Sequence, residues 1–231
     1  MRAKELFKQA IELDPKFAAA YAELAHAWWV DNYYSWSNNV KALQLSLEAA
    51  EKALAVDSSL PLGHERMAWV LAWLGKLDEA VAAARDATRL DSNYASGHTT
   101  LAMMLAFSGD TVGSVKSSKL AMLLDPYSFF AATAPGMAHF VAQNYEQAVP
   151  YFRAGLALNP DFGGAHQFLA SLYGLLGRQE DARAEANEVL RLSPNFLKGL
   201  MQIPFKDPSV LSRTLDGLRK AGLEVPDENP G

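Results

Sequence analysis

The stretch LGKLDEA, residues 74–80, returns three periods of 34 residues later as LGRQEDA, residues 176–182. A second phrase keeps the same step: AVDS ends at Ser58, and its counterparts end at residues 92, 126, 160 and 194. A fixed period of 34 residues is typical of a solenoid built from helix–turn–helix units. The sequence therefore predicts an all-α chain of antiparallel helix pairs.

Small side chains recur at fixed positions within this period. We number each unit so that the Pro or Ser that ends the second phrase stands at position 32. Small residues at these positions allow the paired helices to approach closely. They are Ala25, Ala68, Ala102, Gly136 and Ala170 at position 8; Ala3, Ser46, Ala80, Ser114, Ala148 and Ala182 at position 20; and Ala10, Ala53, Ala87, Ala121, Gly155 and Val189 at position 27.

The turn inside each unit is marked by a residue suited to a left-handed backbone. Gly75, Gly109 and Gly177 supply it in three units, and we expect Asn144 to fill the same place in the fourth. Pro135 occupies position 7 of a first helix. Because proline removes a backbone hydrogen bond, we expect a bent or late-starting helix between about 128 and 142.

These registers resemble those of the tetratricopeptide repeat (TPR) family, over residues 1 to about 200. The resemblance implies a right-handed superhelix, an α-solenoid of antiparallel helix pairs with a C-terminal capping helix. The leading half-unit lacks a first helix. The Asp207-Pro208 pair and the leucines that follow it predict the capping helix. The predicted boundaries are a TPR array over 1–206 (half unit 1–15, full units about 16–58, 59–92, 93–126, 127–160 and 161–194), a cap over 207–223 and a loose tail over 224–231.

Composition excludes several classes of protein. The net charge of −5 offers no broad basic surface to nucleic acid, and the absence of cysteine excludes disulfides and Cys-ligated zinc. The N-terminal stretch has the pattern of an amphipathic helix rather than a secretory signal. No run of about 18 apolar residues occurs, so we expect no membrane insertion. We expect a cytoplasmic protein.

An aromatic insert, DNYYSWSNN over residues 31–39, interrupts the period, because the first step is 43 residues rather than 34. We predict that it lengthens the loop between an inner helix over 17–30 and an outer helix over about 39–56. Tyr33, Tyr34 and Trp36 then either plug the end of the local hairpin or form a secondary contact surface for a partner.

In TPR arrays the first helix of each unit lines a concave groove, and the resemblance places positions 2, 5, 9, 12 and 13 in it. The lining predicted here is rich in aromatic residues and Met, which suits an apolar peptide, an apolar helix or a second copy of the chain. The alternative is that superhelical packing buries this stripe between units. The predicted groove residues are His26, Trp29, Glu65, Trp69, Trp73, Thr99, Met103, Phe107, Phe130, Thr133, Met137 and Phe140, followed in the last unit by Gln167, Ser171 and Leu175.

Polar residues in the chain form no pattern of an active site. His64, His98 and His166 share position 4 of their units, a packing position on separate helices, so they should not converge on a metal ion. The chain contains no phosphate-binding loop, HExxH motif or nucleophile elbow. We therefore predict no catalytic residues, no cofactor and no metal site, and a chain that is not an enzyme.

A closer resemblance rests on IPFKDPSVLSRTLDGLRKAGL, residues 203–223, and on the aromatic insert. Together they are similar to the C-terminal TPR region of bacterial class III adenylate/guanylate cyclase-like proteins. The resemblance implies a regulatory or assembly region of a signalling protein, with any cyclase activity in an upstream domain absent from this chain. Alternatives are a free-standing TPR adaptor and the TPR arm of a winged-helix transcriptional regulator.

Overall fold

The computed structural model describes residues 2–34 and 41–226 of the chain. This described part contains thirteen α-helices and no strand, so the all-α prediction is confirmed. The helices are α1 (Arg2–Leu13), α2 (Ala18–Tyr34), α3 (Ala42–Val56), α4 (Pro61–Trp73), α5 (Leu77–Leu90), α6 (Ala95–Ser108), α7 (Thr111–Leu124), α8 (Phe129–Val141), α9 (Tyr145–Leu158), α10 (Gly163–Leu175), α11 (Gln179–Leu192), α12 (Phe196–Leu200) and α13 (Ser209–Lys220).

Ten of these helices form five pairs, α2/α3 through α10/α11, and each pair packs closely within itself. We call the first helix of a pair the inner helix and the second the outer helix. Outer helices contact their own inner helix and the next inner helix along the chain. The inner helices α2, α4, α6 and α8 also contact one another in sequence. The array therefore curves with its inner helices on the concave side.

The small residues of the repeat lie where the paired helices touch. The alanines at position 8 are fully buried, and so is every residue at position 20 from the second unit onward. Where position 20 is serine, its hydroxyl crosses the pair. Ser46 Oγ donates to the carbonyl oxygen of Ala25 and Ser114 Oγ to that of Ala102, both at 2.7 Å. The prediction that small side chains allow close approach is confirmed.

The turns confirm three glycines and correct one residue. Gly75, Gly109 and Gly177 have φ values of 77°, 90° and 73°. In the fourth unit the left-handed residue is Gln143, with φ of 62°, whereas Asn144 has φ of −86° and precedes α9. The prediction for Asn144 was wrong by one residue, because Gln143 holds the repeat position of the glycines. Such a backbone costs a residue with a Cβ roughly 1 kcal/mol relative to glycine.

Helix α8 corrects the expectation of a late start. It begins at Phe129, the same repeat position at which α4, α6 and α10 begin, and it continues through Pro135 to Val141. Its first turn is capped by Ser128, whose Oγ accepts a hydrogen bond from the backbone N–H of Ala131 at 3.2 Å. Because the helix begins at Phe129, six residues before Pro135, Ser128 stands in position to cap its first turn.

Helix α2 is longer than predicted. It was expected to end at residue 30, but it continues to Tyr34, one turn beyond the inner helices that follow. Asp31, in the added turn, is buried and pairs with Lys4 of α1 at 2.8 Å. Lys4 Nζ also lies 3.9 Å from the ring centroid of Trp28. The first part of the insert is therefore helical because it closes against α1, whereas Trp36 and the side chain of Tyr34 lie outside the described structure.

The C-terminal segment turns back along the array. Helix α12 follows the last pair directly, yet it contacts α2 of the first. We call residues 201–208, which follow it, the strap. Helix α13 then packs mainly on α10. The helix begins at Ser209 with Pro208 as its N-cap, so the prediction that Asp207 caps the helix and Pro208 begins it was wrong by one residue. The Asp207 carboxylate still accepts a hydrogen bond from the backbone N–H of Ser209 at 2.9 Å. Beyond α13, Val225 packs against the main core, and residues 227–231 of the predicted tail lie outside the described part.

Candidate protein-binding site

Aromatic rings form a continuous surface at the C-terminal ends of the first inner helices. Trp29 of α2 stacks on Tyr33 at 5.5 Å between ring centroids and meets Trp73 of α4 edge-on at 4.9 Å. Trp73 in turn contacts Phe107 of α6 at 6.2 Å. Trp69 joins Trp29 and Trp73 at 5.1 and 5.7 Å. We call these five residues the aromatic surface.

Many of the predicted groove residues are buried rather than open to a partner. Of the twelve in the first four pairs, eight are buried: Glu65, Trp69, Thr99, Met103, Phe107, Thr133, Met137 and Phe140. The remaining four, His26, Trp29, Trp73 and Phe130, are half-buried. Close packing of alternate units accounts for part of this burial, because Trp69 of the second unit contacts Phe130 of the fourth at 5.8 Å.

The C-terminal segment covers much of the rest. The backbone of Gly199 lies against the ring of Tyr33, and Asn32 Nδ2 donates to Gln202 Oε1 at 2.9 Å. The ring of Phe205 meets Phe107 edge-on at 5.5 Å. Residues 199–205 therefore reach from the first repeat, at Asn32 and Tyr33, to the third, at Phe107.

Apart from Ile203 and Phe205, which pack against the main core, the strap makes few contacts with the repeats. Met201 is exposed, residues 202–205 are half-buried and residues 206–208 are exposed, whereas its two anchors, Leu200 and Val210, are buried. In the described structure one backbone hydrogen bond joins the strap to the repeats, from the N–H of Lys206 to the carbonyl oxygen of Phe107 at 2.9 Å. Lys206 Nζ also approaches the exposed carboxylate of Asp78 at 3.4 Å.

Two indole groups of the aromatic surface lack hydrogen-bond acceptors among the described residues. The Nε1 atoms of Trp29 and Trp73 are buried, and neither donates a hydrogen bond to any residue that the structure describes. Trp69 differs, because its Nε1 donates to Thr100 Oγ1 at 3.0 Å. A buried N–H without an acceptor costs on the order of 1–3 kcal/mol. An arriving carbonyl oxygen would remove that cost at Trp29 and Trp73 but gain nothing at Trp69.

At the N-terminal ends of the same helices the inner side is polar. Glu65 of α4 is 2% exposed. Its carboxylate accepts hydrogen bonds from Ser96 Oγ at 2.9 Å and from the hydroxyl of Tyr94. It also pairs with Arg66 at 2.9 Å, and Thr100 Oγ1 lies 3.4 Å away. The buried charge of Glu65 is thus surrounded by donors.

The network extends to the first pair through Arg66. Its second terminal nitrogen reaches Glu23 of α2 at 3.0 Å. Burial lowers the pKa of Arg66, but the carboxylates of Glu65 and Glu23 outweigh it, so the net shift is upward. His26, whose Nδ1 lies 3.8 Å from the carboxylate, and the guanidinium of Arg66 lower the pKa of Glu23 to about 2 against the effect of burial. Burial and the neighbouring Glu65 carboxylate raise the pKa of the Tyr94 phenol well above its usual value.

We call Glu23, Glu65, Arg66, Tyr94, Ser96 and Thr100 the polar network. Sequence reasoning placed only Glu65 on the inner side and missed the others. The available signal was the Glu65-Arg66 pair, adjacent charges within the otherwise apolar run of α4. Its carboxylates and hydroxyls bond to one another and to both terminal nitrogens of Arg66, although Arg66 Nε is buried without an acceptor among the described residues. The network therefore has the character of a structural joint between the first three pairs rather than of a reactive site.

The three histidines at position 4 have a shared structural role that the sequence did not reveal. The Nε2 atoms of His64, His98 and His166 each lie within hydrogen-bond distance, 2.8–2.9 Å, of the carbonyl oxygen six residues earlier. They therefore pin the loop that enters each inner helix. Over residues 2–34 and 41–226, no group of three or more acidic or histidine side chains is arranged to hold a metal ion. No helix in these ranges is long and apolar enough to cross a membrane.

Comparison with known families places the repeat. Residues 164–196, which include α10 and α11, match the family model described as "Tetratricopeptide repeat". The matched unit has the same helix pairing and small-residue positions as the four pairs before it, and its left-handed glycine corresponds to those of the second and third pairs. This is a TPR solenoid. TPR folds are typically non-catalytic scaffolds for protein binding.

Solved structures share this fold at low sequence identity. The human IFIT1 dimer with m7Gppp-AAAA matches at a TM-score of 0.73 and 18% identity, covering 95% of this chain and 54% of that one. TTC0263, a thermophilic TPR protein of Thermus thermophilus, matches at a TM-score of 0.62 and 19% identity, covering 79% of this chain and 93% of that one. At such identities the likeness shows the fold alone.

One curated relative is similar in sequence. It is "Putative adenylate cyclase 3" of Rhizobium meliloti (strain 1021), 35% identical over 81 residues. The match covers 35% of this chain and only 14% of that protein. The TPR region described here is therefore similar to a part of a protein named as a cyclase, and the match spans a small fraction of that protein's length.

Proposed function

We propose that this chain is the regulatory or assembly region of a bacterial signalling protein, such as a nucleotide cyclase, and that it binds a protein partner through its aromatic surface. The observation that carries the proposal is the pair of buried indole N–H groups on Trp29 and Trp73, which lack acceptors among the described residues. Large aromatic side chains are the usual energetic anchors of protein interfaces. Backbone carbonyls of a bound peptide or helix end are the acceptors that these donors need.

Within the predicted groove, we expect the partner to bind the residues that are more accessible. Trp69 is 7% exposed and its indole is already bonded to Thr100, so it serves the core. Trp29, Trp73 and Tyr33 are half-buried, so a partner reaches them with a smaller rearrangement. The predicted contacts at Met103, Thr133, Met137 and Phe140 would require the array itself to open, since these residues are buried.

The binding proposal is tested with peptides selected from a displayed random library on the folded chain. Isothermal titration then compares the wild type with Trp73→Ala and with Trp28→Ala. Trp28 is a half-buried tryptophan on the other side of α2, next to Lys4, so it is a matched control. We expect Trp73→Ala to weaken binding at least about tenfold, the usual effect of losing an anchor residue, and Trp28→Ala to leave it unchanged. Equal losses in both variants, or no enriched peptide, would refute the proposal.

The signalling context rests on the similarity to the cyclase of Rhizobium meliloti. Reading the source gene upstream of the codon for Met1 tests it. An open frame that runs into a cyclase domain supports the proposal, and a winged-helix domain would favour the transcriptional-regulator alternative. A stop codon followed by a ribosome-binding site would instead favour a free-standing adaptor.

Self-association through the same surface is the other form of the binding proposal. Static light scattering over a range of concentrations measures it directly. If copies pair through the aromatic surface, Trp73→Ala should return the mass to that of a monomer while Trp28→Ala does not. A monomer at every concentration would remove this form and leave binding to a different protein.

A further inference from the structure

We propose that the strap occupies the site at which the partner binds. The partner is an extended segment with an aromatic residue followed directly by a lysine or arginine. Such a segment binds by taking the place of residues 201–208. This inference rests on the proposed function of the aromatic surface, and it names both the chemistry of the partner and the step that admits it.

The first support is the way the strap is seated. Phe205 offers its ring to Phe107, its neighbour Lys206 makes the backbone hydrogen bond to the same residue, and the Lys206 ammonium faces Asp78. Through these three contacts the repeats bind an aromatic side chain, a backbone N–H and a positive charge that follow one another along the strap. A segment from another protein with the same order could repeat all three contacts.

The second support is that the strap fits this surface incompletely. It leaves the indole N–H groups of Trp29 and Trp73 without acceptors among the described residues. A pocket of about 250 Å³ also remains beside it, lined by Gly75, Leu77, Asp78, Pro204, Phe205 and Lys206. A partner that supplied carbonyl oxygens to the indoles and filled this pocket would make contacts that the strap does not make. Such a partner would therefore bind more tightly than the strap.

The third support is that the strap can leave without unfolding its anchors. Helix α13 is fixed on α10 by contacts that do not involve the strap. Gly217 lies so close to Ser171 that a Cβ built on it would stand 2.3 Å from the Ser171 carbonyl oxygen, and Ser171 Oγ donates to the Thr214 carbonyl oxygen at 3.0 Å. At the other end Leu200 is fully buried. The strap is thus a tethered and lightly held segment between two fixed points.

A tethered competitor lowers the apparent affinity for a partner by the fraction of time that the surface is free. The test uses the full chain and an acetylated, amidated peptide with the sequence of residues 200–209, LMQIPFKDPS. Titration calorimetry compares the wild type with a release variant, Phe205→Ala/Lys206→Glu. Lys198→Glu, which changes an exposed cation in the same segment but outside the strap, is the matched control.

We expect the release variant to bind the peptide at least about tenfold more tightly than the wild type, with Lys198→Glu unchanged from it. A peptide carrying alanine for Phe205 and glutamate for Lys206 should bind at least tenfold more weakly to the release variant. Equal affinity for wild type and release variant, or equal binding of both peptides, overturns the inference. A wild-type dimer that dissociates when peptide is added overturns it too, because it assigns the surface to the strap of a second copy.

A second measurement keeps the test decisive if the release variant folds poorly. The chain has no cysteine, so Met201→Cys in an otherwise wild-type chain accepts one environment-sensitive dye at the exposed start of the strap. Saturating LMQIPFKDPS peptide should shift the dye's emission, and the altered peptide should not. No shift on saturation overturns the inference. If library-selected peptides still bind in a Trp73-dependent way, the proposed function stands without it, whereas no binding by any peptide refutes both.

Discussion

At the N-terminal ends of the inner helices the concave side is closed by charges and hydroxyls that bond to one another, although Arg66 Nε lacks an acceptor among the described residues. At the C-terminal ends the concave side is aromatic and partly covered by the C-terminal segment. The polar network surrounds Glu65 with four donors. The aromatic surface leaves the indoles of Trp29 and Trp73 unmatched within the described part of the chain. Both regions lie on the same helices. We expect the polar part of the groove to hold the repeats together and the aromatic part to be the one that a partner binds.

Glu65→Gln should have the largest effect on stability. Removing the charge leaves Arg66 buried with only Glu23 opposite. The amide also replaces one of the two oxygens that accept from Tyr94 and Ser96, so one of these hydroxyls loses its acceptor. Breaking a buried ion pair by changing one partner costs about 3–5 kcal/mol. Urea unfolding followed by circular dichroism measures the loss. Glu79→Gln, in an exposed pair with Lys76, is the control and should cost less than about 1 kcal/mol. A similar small cost for Glu65→Gln would show that the network is not a structural joint.

The same network should make stability depend on acid. The pKa of Glu23 is lowered to about 2 in the folded protein, against a usual value of 4.5. A lowered pKa in the folded state gives stability that is fully present above pH 4.5 and is lost as the pH falls toward 2. We expect Glu23→Gln to flatten the fall in urea midpoint between pH 5 and pH 3. An unchanged slope in the variant would contradict this assignment.

Gly217→Ala tests the anchor of the strap. The new Cβ would stand 2.3 Å from the carbonyl oxygen of Ser171, a backbone atom that cannot move aside alone. Overpacking of this kind costs about 1–3 kcal/mol. The measurement is again the urea midpoint, with Ser212→Ala on the same helix as the control. If Gly217→Ala unfolds at the wild-type midpoint, α13 is not fixed on α10 in the way described.

Phe205→Ala should cost less, about 1 kcal/mol, because the ring is only half-buried and its removal opens a segment already near solvent. The stability of α13 should be unaffected, so the variant should unfold in one transition close to that of the wild type. A loss of 3 kcal/mol or more would show that the strap is part of the core rather than a light cover.

Gln143→Gly should have the smallest effect and the opposite sign. Gln143 is the residue with a left-handed backbone at the position where three other units have glycine. Relieving that backbone should stabilise the chain by about 0.5–1 kcal/mol. This turn lies outside both the polar network and the aromatic surface. The variant therefore also tests whether the repeats that carry these two regions respond as regular repeats do. No gain, with α9 intact, would contradict the strain at this turn.

The period of 34 residues was enough to predict the helix pairs, their small-residue contacts and three of the four left-handed turns. It could not predict the extra turn of α2, because that turn is stabilised by Lys4, from outside the unit. Nor could it predict the strap. Its contacts join Asn32 to Gln202 and Asp78 to Lys206, pairs far apart in sequence and outside the repeat. Periodicity reports what neighbouring units share, and the candidate site is built where a non-repeating segment meets them.

We expect the strap, at the aromatic end of the groove, to open without unfolding of the rest of the chain. Native-state hydrogen exchange tests it most directly, through the backbone amide of Lys206, which donates to Phe107, and that of Leu218 in α13. We expect the Lys206 amide to exchange at least a hundredfold faster than the Leu218 amide. This ratio corresponds to a difference of about 2.7 kcal/mol in the free energy of opening. We also expect Phe205→Ala to speed exchange of the Lys206 amide further and to leave that of Leu218 unchanged. Equal protection of the two amides would contradict this expectation.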